Sequence, residues 1–205
     1  RDAEGLQGRI AAIVNYNHIN FHNEKVGFFG LFESVNKREV SDPLFDRASS
    51  FLRSRGMTAI RGPMNFSTNE EVGLLVDGFD SPPVIMMNYN PPYYIDLIEG
   101  YGFRKAKDLY AYYRDDSEPM PERLLKLADR IIKKGKFRIR KVQIKNLKEE
   151  IEKFKKVYNS AWEKNWGFVP MTEKEIDRMA KDLKLILDPD LVFFAENEKG
   201  VIGFS

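Results

Sequence analysis

Glu33 has the setting that acid–base chemistry requires. It lies near the end of a strongly apolar stretch, residues 26–34, whose composition predicts a buried strand. A carboxylate at a strand end, beside apolar neighbours such as Phe29 and Phe32, suits general-base work. The alternative is an acidic side chain that simply faces solvent at the end of a strand.

Two tyrosines, Tyr93 and Tyr94, follow Asn90 and two prolines on a predicted short helix. Packing in the core is one role for both tyrosines, and proton donation by a hydroxyl is the other. Asn90 is expected to cap this helix before Pro91, and contact with a ligand is its second possible role.

A dense group of polar side chains follows a predicted strand at residues 57–62. It opens a long loop, residues 63–83, whose apolar island at Val72–Val76 predicts that the loop is folded. Clefts beyond strand ends are common ligand sites, so this group is the preferred substrate-contact region. Turns that satisfy the loop's own backbone are the alternative. The group consists of Asn65, Ser67, Thr68, Asn69 and Glu70.

His18, His22 and Glu24 have a spacing that could place two imidazoles on one face. No sequence feature supplies a convincing third and fourth ligand, and the segment resembles an exposed polar loop. We therefore predict no metal site.

Strands and helices alternate along the first half of the chain. A helix is predicted from Asp42, with Ser41 or Asp42 as its cap and Pro43 in its first turn, and Gly56 ends it. Strands are predicted at residues 8–16, 26–34 and 57–62, the first two pairing as a hairpin.

Residues 84–114 predict a strand, a helix and a second strand. An apolar run at Val84–Met87 comes first, the helix ends near Tyr101, and Gly102–Phe103 begins the next strand. The elements that follow are an amphipathic helix ending at Gly135, a strand at 137–144, a helix at 147–161, a helix capped by Thr172 and closed by Glu175, and a hairpin of residues 191–196 and 200–205.

The composition is that of an ordinary globular protein, with 42% hydrophobic and 31% charged residues among 205. The 33 basic and 31 acidic residues are interleaved, so neither a nucleic-acid nor a membrane partner is expected. The densest basic run, Lys133–Lys141, is interpreted as a solvated face. The absence of cysteine excludes thiolate nucleophiles and makes a cytoplasmic protein the default.

The short helix that runs into Gly102–Phe103, followed by alternating aromatic and polar residues, resembles the end of the GNAT (N-acetyltransferase) fold. The order of that fold is strand, two helices, three antiparallel strands, helix, strand, helix, strand. Residues 137–205 are similar to its opening half and residues 8–114 to its closing half. We therefore expect a piece of a longer, tandem GNAT-like protein.

The resemblance implies an α+β fold of the α/β sandwich type, with a mixed, mainly antiparallel sheet flanked by helices. Residues 1–114 would be the C-terminal half of a first domain, residues 115–136 a helical connector, and residues 137–205 the N-terminal half of a second domain. Such complementary halves could assemble one permuted domain within or between chains, and an exposed sheet edge would promote homo-oligomers.

The family's phosphate loop corresponds to residues 36–41. The resemblance implies that Asn36, Lys37, Arg38 and Ser41 bind the coenzyme A pyrophosphate at a helix N-terminus. Glu39 and Ser41 replace the small residues of the motif, while Lys37 and Arg38 could contact phosphate directly. The tyrosine that the family often places four residues before Gly-Phe is Ile98 here.

The resemblance implies an acyl-CoA-dependent N-acyltransferase that uses acetyl-CoA or another acyl-CoA and a small-molecule or peptide amine. Glu33 would draw a proton from the amine, Tyr94 would protonate the leaving thiolate, and Asn90 could contact pantetheine. Trp166, with Trp162 and Phe168, lies in the loop that borders the family's acceptor site. The alternative is a degenerate GNAT-like module that binds a small molecule or mediates assembly without acyl transfer.

Overall fold

The computed structural model describes residues 5–84, 87–115, 117–183 and 187–205. Within these ranges the fold is α+β, with two three-stranded sheets and six α-helices. The chain divides into two compact units, each of which holds one sheet. Unit 1 is Arg1–Tyr110 with Asn165–Val169, and unit 2 is Ala111–Lys164 with Pro170–Ser205.

The sheet of unit 1 is mixed. Strands β1 (Gly8–Ile13) and β2 (Val26–Ser34) pair antiparallel, which confirms the predicted hairpin. Helix α2 (Arg38–Ser54) then leads to β3 (Ala59–Arg61), which pairs parallel with β2. The predicted strand at 57–62 is therefore present but shorter.

The segment between β1 and β2 is a helix, α1 (Tyr16–His22), so the prediction of an exposed polar loop was wrong. The Asn15 side chain caps the helix by accepting the His18 N–H at 2.9 Å. The imidazole of His18 is buried, with its ring 4.9 Å from that of Phe28.

Helix α2 begins at Arg38, and the prediction that it starts at Asp42 was wrong. The Lys37 carbonyl accepts the N–H groups of Val40 and Ser41, so extended Lys37 is the cap residue. Ser41 is fully buried inside the helix and caps nothing.

Helix α3 (Tyr94–Tyr101) ends as predicted, at a glycine. Gly102 adopts a φ of 117°, and its N–H and that of Phe103 return to the carbonyls of Glu99 and Ile98.

The prediction that a strand begins at Gly102–Phe103 was wrong, because residues 103–115 lack regular structure. Alternating side chains make a strand only where a neighbouring strand offers backbone partners. Of the strand predicted at Val84–Met87, residues 85 and 86 lie outside the described residues, while Val84 and Met87 lie outside strands.

An aromatic cluster forms the core of unit 1 beneath β2. Rings of Phe29, Phe32 and Phe45 lie 4.9 to 6.4 Å apart, centre to centre. The buried members of the cluster are Phe29, Phe32, Phe45, Tyr94, Leu97 and Ile98.

Unit 2 contains an antiparallel sheet of the strands β4 (Arg138–Lys141), β5 (Phe193–Asn197) and β6 (Gly200–Phe204), in that order. The Thr172–Glu175 capping box is confirmed, since each backbone N–H donates to the other residue's side chain. The α-helices of unit 2 are α4 (Glu122–Lys134), α5 (Leu147–Trp162) and α6 (Glu173–Leu183).

A buried ion pair links the sheet of unit 2 to α5. The Arg140 guanidinium donates to both carboxylate oxygens of Glu150, at 2.5 and 2.9 Å, and lies 5.0 Å from the centre of the Phe194 ring. Burial opposes ionisation of Glu150, but hydrogen bonds from Arg140 and Lys153 outweigh it and lower the pKa of the carboxyl.

Candidate functional site

Glu33 and Tyr94 are brought into direct contact in unit 1, although they are far apart in sequence. The Tyr94 hydroxyl donates a 2.8 Å hydrogen bond to Oε2 of Glu33 and accepts the Ser34 N–H at 3.1 Å. The Tyr93 hydroxyl donates to the Ser34 carbonyl at 2.9 Å. Two tyrosines at the start of α3 therefore fasten that helix to the end of β2.

The Glu33 carboxylate is accessible, while its tyrosine partner is buried. The Glu33 side chain is 59% exposed, and its other oxygen, Oε1, lies 3.6 Å from the Arg9 guanidinium on β1. Burial, reinforced by the neighbouring Glu33 carboxylate, raises the pKa of Tyr94 to about 12. At neutral pH Tyr94 is thus a proton donor beside a reachable carboxylate.

A bulge in β2 lies just before Glu33. Arg9 pairs with Glu33 and Ala11 with Gly30, so two residues of β2, one of them Leu31, oppose a single residue of β1. Leu31 adopts a φ of 48°, a conformation that is rare for a branched side chain. Its N–H donates instead to Oδ1 of Asn65 at 2.8 Å.

Gly30 makes the approach of Asn65 to the bulge possible. A Cβ at this position would lie 2.3 Å from the Met64 carbonyl oxygen and 2.8 Å from Oδ1 of Asn65. The Asn65 side-chain amide also donates to the Glu71 carboxylate at 3.0 Å. Asn65 is therefore a predicted site residue that directly abuts the strand carrying Glu33.

The other side chains predicted to contact substrate are engaged in interactions within unit 1. The Ser67 hydroxyl is buried and accepts the Asn69 N–H at 3.1 Å, while the Asn69 side chain donates to the Val169 carbonyl at 3.0 Å. The Arg61 guanidinium lies over the Trp166 ring, 5.0 Å from the centre of that ring. In the structure these side chains hold the loop of residues 63–83 and the segment Asn165–Val169.

The residues predicted to contact coenzyme A occupy two separate places. Asn36, Lys37 and Arg38 are exposed at the start of α2, where Arg38 donates to Asp42 at 3.0 Å and to the Gly100 carbonyl at 2.8 Å. Ser41, in contrast, is buried.

Asn90 does not cap α3, whose cap residue is Tyr93. Instead, Oδ1 of Asn90 accepts the Leu75 N–H at 2.8 Å and its amide donates to the Leu75 carbonyl at 3.2 Å. The amide side chain is buried and ties the loop of residues 63–83 to the residues before α3.

Arg9 lies beside the candidate base, and the sequence carries a signal for this position. The predicted hairpin implies pairing between β1 and β2, and the correct register places Arg9 opposite Glu33. That register cannot be read from the sequence, because the extra residue of the bulge shifts by one position all the pairs beyond it.

Neither a metal centre nor a membrane span is found in the part of the chain that the structure describes. No three histidine or acidic side chains there converge in a metal-binding arrangement. None of the described helices is both long and apolar enough to cross a bilayer.

Two curated proteins are similar to this chain over most of its length. "Bacterial ceramide synthase" from Caulobacter vibrioides is 40% identical over 180 residues, which are 86% of this chain and 46% of that protein. "Protein YghO" from Escherichia coli is 35% identical over 206 residues, which are 100% of this chain and 52% of that protein. No protein-family model matches the chain, and no solved structure matches it significantly. The chain spans about half the length of the curated relatives it matches.

Proposed function

We propose that this chain belongs to an acyl-CoA-dependent N-acyltransferase whose acceptor is the amine of a long-chain amino alcohol. The observation that carries the proposal is the accessible Glu33 carboxylate, held by the Tyr94 hydroxyl at 2.8 Å beside the bulge in β2. The name of the Caulobacter relative supports this proposed substrate class, because a ceramide is the amide of a fatty acid and a long-chain amino alcohol.

The order and pairing of the strands support a tandem GNAT-like arrangement. In unit 1 an antiparallel hairpin, a helix and a parallel strand are followed by α3, which matches the family's closing order except for its last strand. In unit 2 a strand, two helices and an antiparallel hairpin follow the order that opens it. We accordingly propose residues 1–114 and 137–205 as two partial copies joined by residues 115–136.

Glu33 is the proposed general base. As the amine nitrogen attacks the thioester carbonyl, the Glu33 carboxylate accepts the proton that the nitrogen loses. A C–N bond forms and the C–S bond breaks. The proton that the amine gives up is balanced by the proton that the leaving thiolate takes up. Tyr94 acts through Glu33 as a positioning residue, because its hydroxyl already donates to that carboxylate. Protonation of the thiolate by Tyr94 itself stays a prediction.

The bulge supplies a candidate donor for the carbonyl oxygen of the thioester. The Leu31 N–H is turned away from the β1 ladder and donates to an uncharged acceptor, the side chain of Asn65. A backbone N–H aimed at a developing oxyanion is worth several kcal/mol in acyl transfer, on the order of 2.7–4. We assign this role to the Leu31 N–H, which would exchange the Asn65 side chain for the thioester oxygen.

Lys37 and Arg38, with Asn36, are the residues that would hold the coenzyme A pyrophosphate. They fit the group because they are exposed and lie at the N-terminus of a 17-residue helix, where basic side chains and the helix dipole both favour an anion. Acyl-CoA supplies the activated thioester. Calorimetric titration of free coenzyme A should show saturable binding that the Lys37→Ala/Arg38→Ala variant loses.

Thiol release provides a direct assay, because a chain without cysteine gives no background with thiol reagents. The chain is supplied with acyl-CoA and a long-chain amino alcohol, and the amide product is identified by mass spectrometry. Glu33→Gln should lower kcat by about 100-fold or more, with coenzyme A binding retained. Glu99→Gln, at an exposed acid of α3 outside the candidate site, is the matched control. Equal rates for both variants would exclude Glu33 as the base.

A second candidate function, a GNAT-like module that binds ligand without transferring acyl groups, is favoured by one observation. Ile98, at the place where the family often has its tyrosine, is buried in the aromatic core. If the chain binds coenzyme A but releases no thiol from acyl-CoA with any amine acceptor, the binding module is the correct function and the enzyme is excluded.

A further inference from the structure

Helix α4 separates apolar from charged side chains completely. With 100° between successive residues, its apolar side chains occupy one continuous arc and its charged side chains the other. We call the apolar arc the α4 stripe. It consists of Leu124, Leu125, Leu127, Ala128, Ile131 and Ile132.

The α4 stripe is open to solvent. All thirteen residues of the helix are exposed, and the large side chains of the stripe keep between 47% and 58% of their surface accessible. A helix this amphipathic gains stability by placing its apolar face against another apolar phase. Single apolar side chains scattered over a surface are ordinary, whereas the α4 stripe is one continuous exposed patch.

The charged arc of α4 is basic. It has five basic residues against two acidic ones, and Lys126 pairs with Glu122 at 2.7 Å. Lys136, two residues after the end of the helix, is also exposed. The balanced charge of the whole chain conceals this local excess, which lies beside the apolar stripe rather than away from it.

We propose that α4 binds parallel to the surface of an anionic lipid bilayer, with the stripe in the acyl-chain boundary and the basic arc among the headgroups. A basic face complements anionic headgroups, whereas an apolar stripe alone would not distinguish lipid from protein. The thirteen residues span about 20 Å, less than the roughly 30 Å of a hydrocarbon core. Exposed Tyr113 and Met120 precede the helix and suit the same interface.

This proposal goes beyond the proposed acyltransferase and can fail separately from it. Lipid binding is measured without acyl-CoA, and acyl transfer is measured without vesicles. If the chain binds vesicles but transfers no acyl group, the lipid-binding proposal stands and the acyltransferase proposal fails. If it transfers acyl groups but does not bind vesicles, the acyltransferase proposal stands and the lipid-binding proposal fails.

The cysteine-free chain allows a single fluorescent label at each chosen position. Leu127→Cys, labelled with an environment-sensitive dye, should brighten and shift to the blue with vesicles that contain phosphatidylglycerol. With vesicles of phosphatidylcholine alone the response should be at least about tenfold weaker, and added salt should reduce it. The same label at Lys126→Cys, in the centre of the charged arc, should stay in a water-like environment.

Unlabelled variants test the same surface by flotation with phosphatidylglycerol vesicles. Leu127→Gln/Ile131→Gln should lower the bound fraction at least about tenfold, while Leu191→Gln, an exposed leucine of unit 2, should leave it unchanged. Circular dichroism checks that the variants stay folded.

Two results would overturn the proposal. One is the absence of any label response to anionic vesicles. The other is a Leu127 label that is already buried without vesicles, together with a doubled mass by light scattering, which would make the stripe a contact between two copies of the chain.

Discussion

The hydroxyl of Tyr94 lies between two groups of β2, donating to the Glu33 carboxylate at 2.8 Å and accepting the Ser34 N–H at 3.1 Å. One oxygen atom therefore serves both the packing of α3 and the orientation of the candidate base. Substitutions at Tyr94 should affect stability and chemistry together, and the two effects can be measured separately.

Tyr94→Phe should lower the free energy of unfolding at pH 7 by about 1–3 kcal/mol, because it leaves the Ser34 N–H without its acceptor. Urea denaturation followed by circular dichroism measures this loss. Tyr89→Phe is the matched control, since that side chain is 62% exposed. Equal losses in the two variants would contradict the buried hydrogen bond.

Alkaline pH should destabilise the chain through Tyr94. Its pKa is raised from 10.0 to about 12, so folding favours the protonated phenol. That contribution is complete below pH 10 and disappears as the pH rises towards 12. The free energy of unfolding of the wild type should therefore fall more steeply over this range than that of Tyr94→Phe. Parallel curves would show that Tyr94 titrates normally.

Asn65→Ala should expose the bulge in β2. The Leu31 N–H loses its 2.8 Å acceptor, so its exchange with deuterium should accelerate by at least about tenfold. Amide exchange followed by NMR measures it, with Asn36→Ala at an exposed asparagine as the control. Unchanged protection at Leu31 would mean that another group covers this amide.

The residues of the candidate site could be chosen from the sequence, but their contacts could not. The predicted strand indicates Glu33 and the predicted helix indicates Tyr94, and 61 positions separate the two residues. Only the pairing of β2 with β1 and β3 and the packing of α3 bring them together. Asn65 was chosen for its position after a strand, yet its contact with Leu31 depends on a bulge that no local pattern announces.

Local patterns predicted elements well where the deciding contacts were also local. The boundaries of β2 and the capping box at Thr172 follow from neighbouring residues. The start of α2 was misplaced because Ser41 and Asp42 imitate a cap, while the Lys37 carbonyl is the group that accepts the first amides. The strand after Gly102 failed because strand formation depends on a distant partner.

Glu150→Ala should destabilise unit 2 by about 3–5 kcal/mol, because it leaves the Arg140 charge in a site where Glu150 itself is 1% exposed. Urea denaturation gives the difference, and Glu149→Ala, at the exposed neighbouring position, should change stability little. A small loss at Glu150 would imply that Glu196, which also pairs with Arg140 at 2.5 Å, suffices alone.

Mild acid should weaken unit 1 through His18. Burial, and then the nearby charges of His22 and Arg61, lower the pKa of this imidazole against the opposing effect of Glu24. The stability that His18 contributes is therefore complete above pH 6.5 and is lost as the pH falls below it. His18→Phe should reduce the difference between thermal midpoints at pH 7.5 and pH 5.5. An unchanged difference would assign the acid sensitivity to other groups.

The pair of hydrogen bonds between Asn90 and Leu75 determines how well the segment between these two residues tolerates a change in its length. Because a side-chain amide closes the base of the segment between these two residues, that segment is anchored independently of its own length. Doubling a closed loop costs only about 0.6 kcal/mol in chain entropy. The exposed bend at Asp77–Gly78 is thus a natural position for inserted sequence, either through evolutionary drift or as a designed reporter.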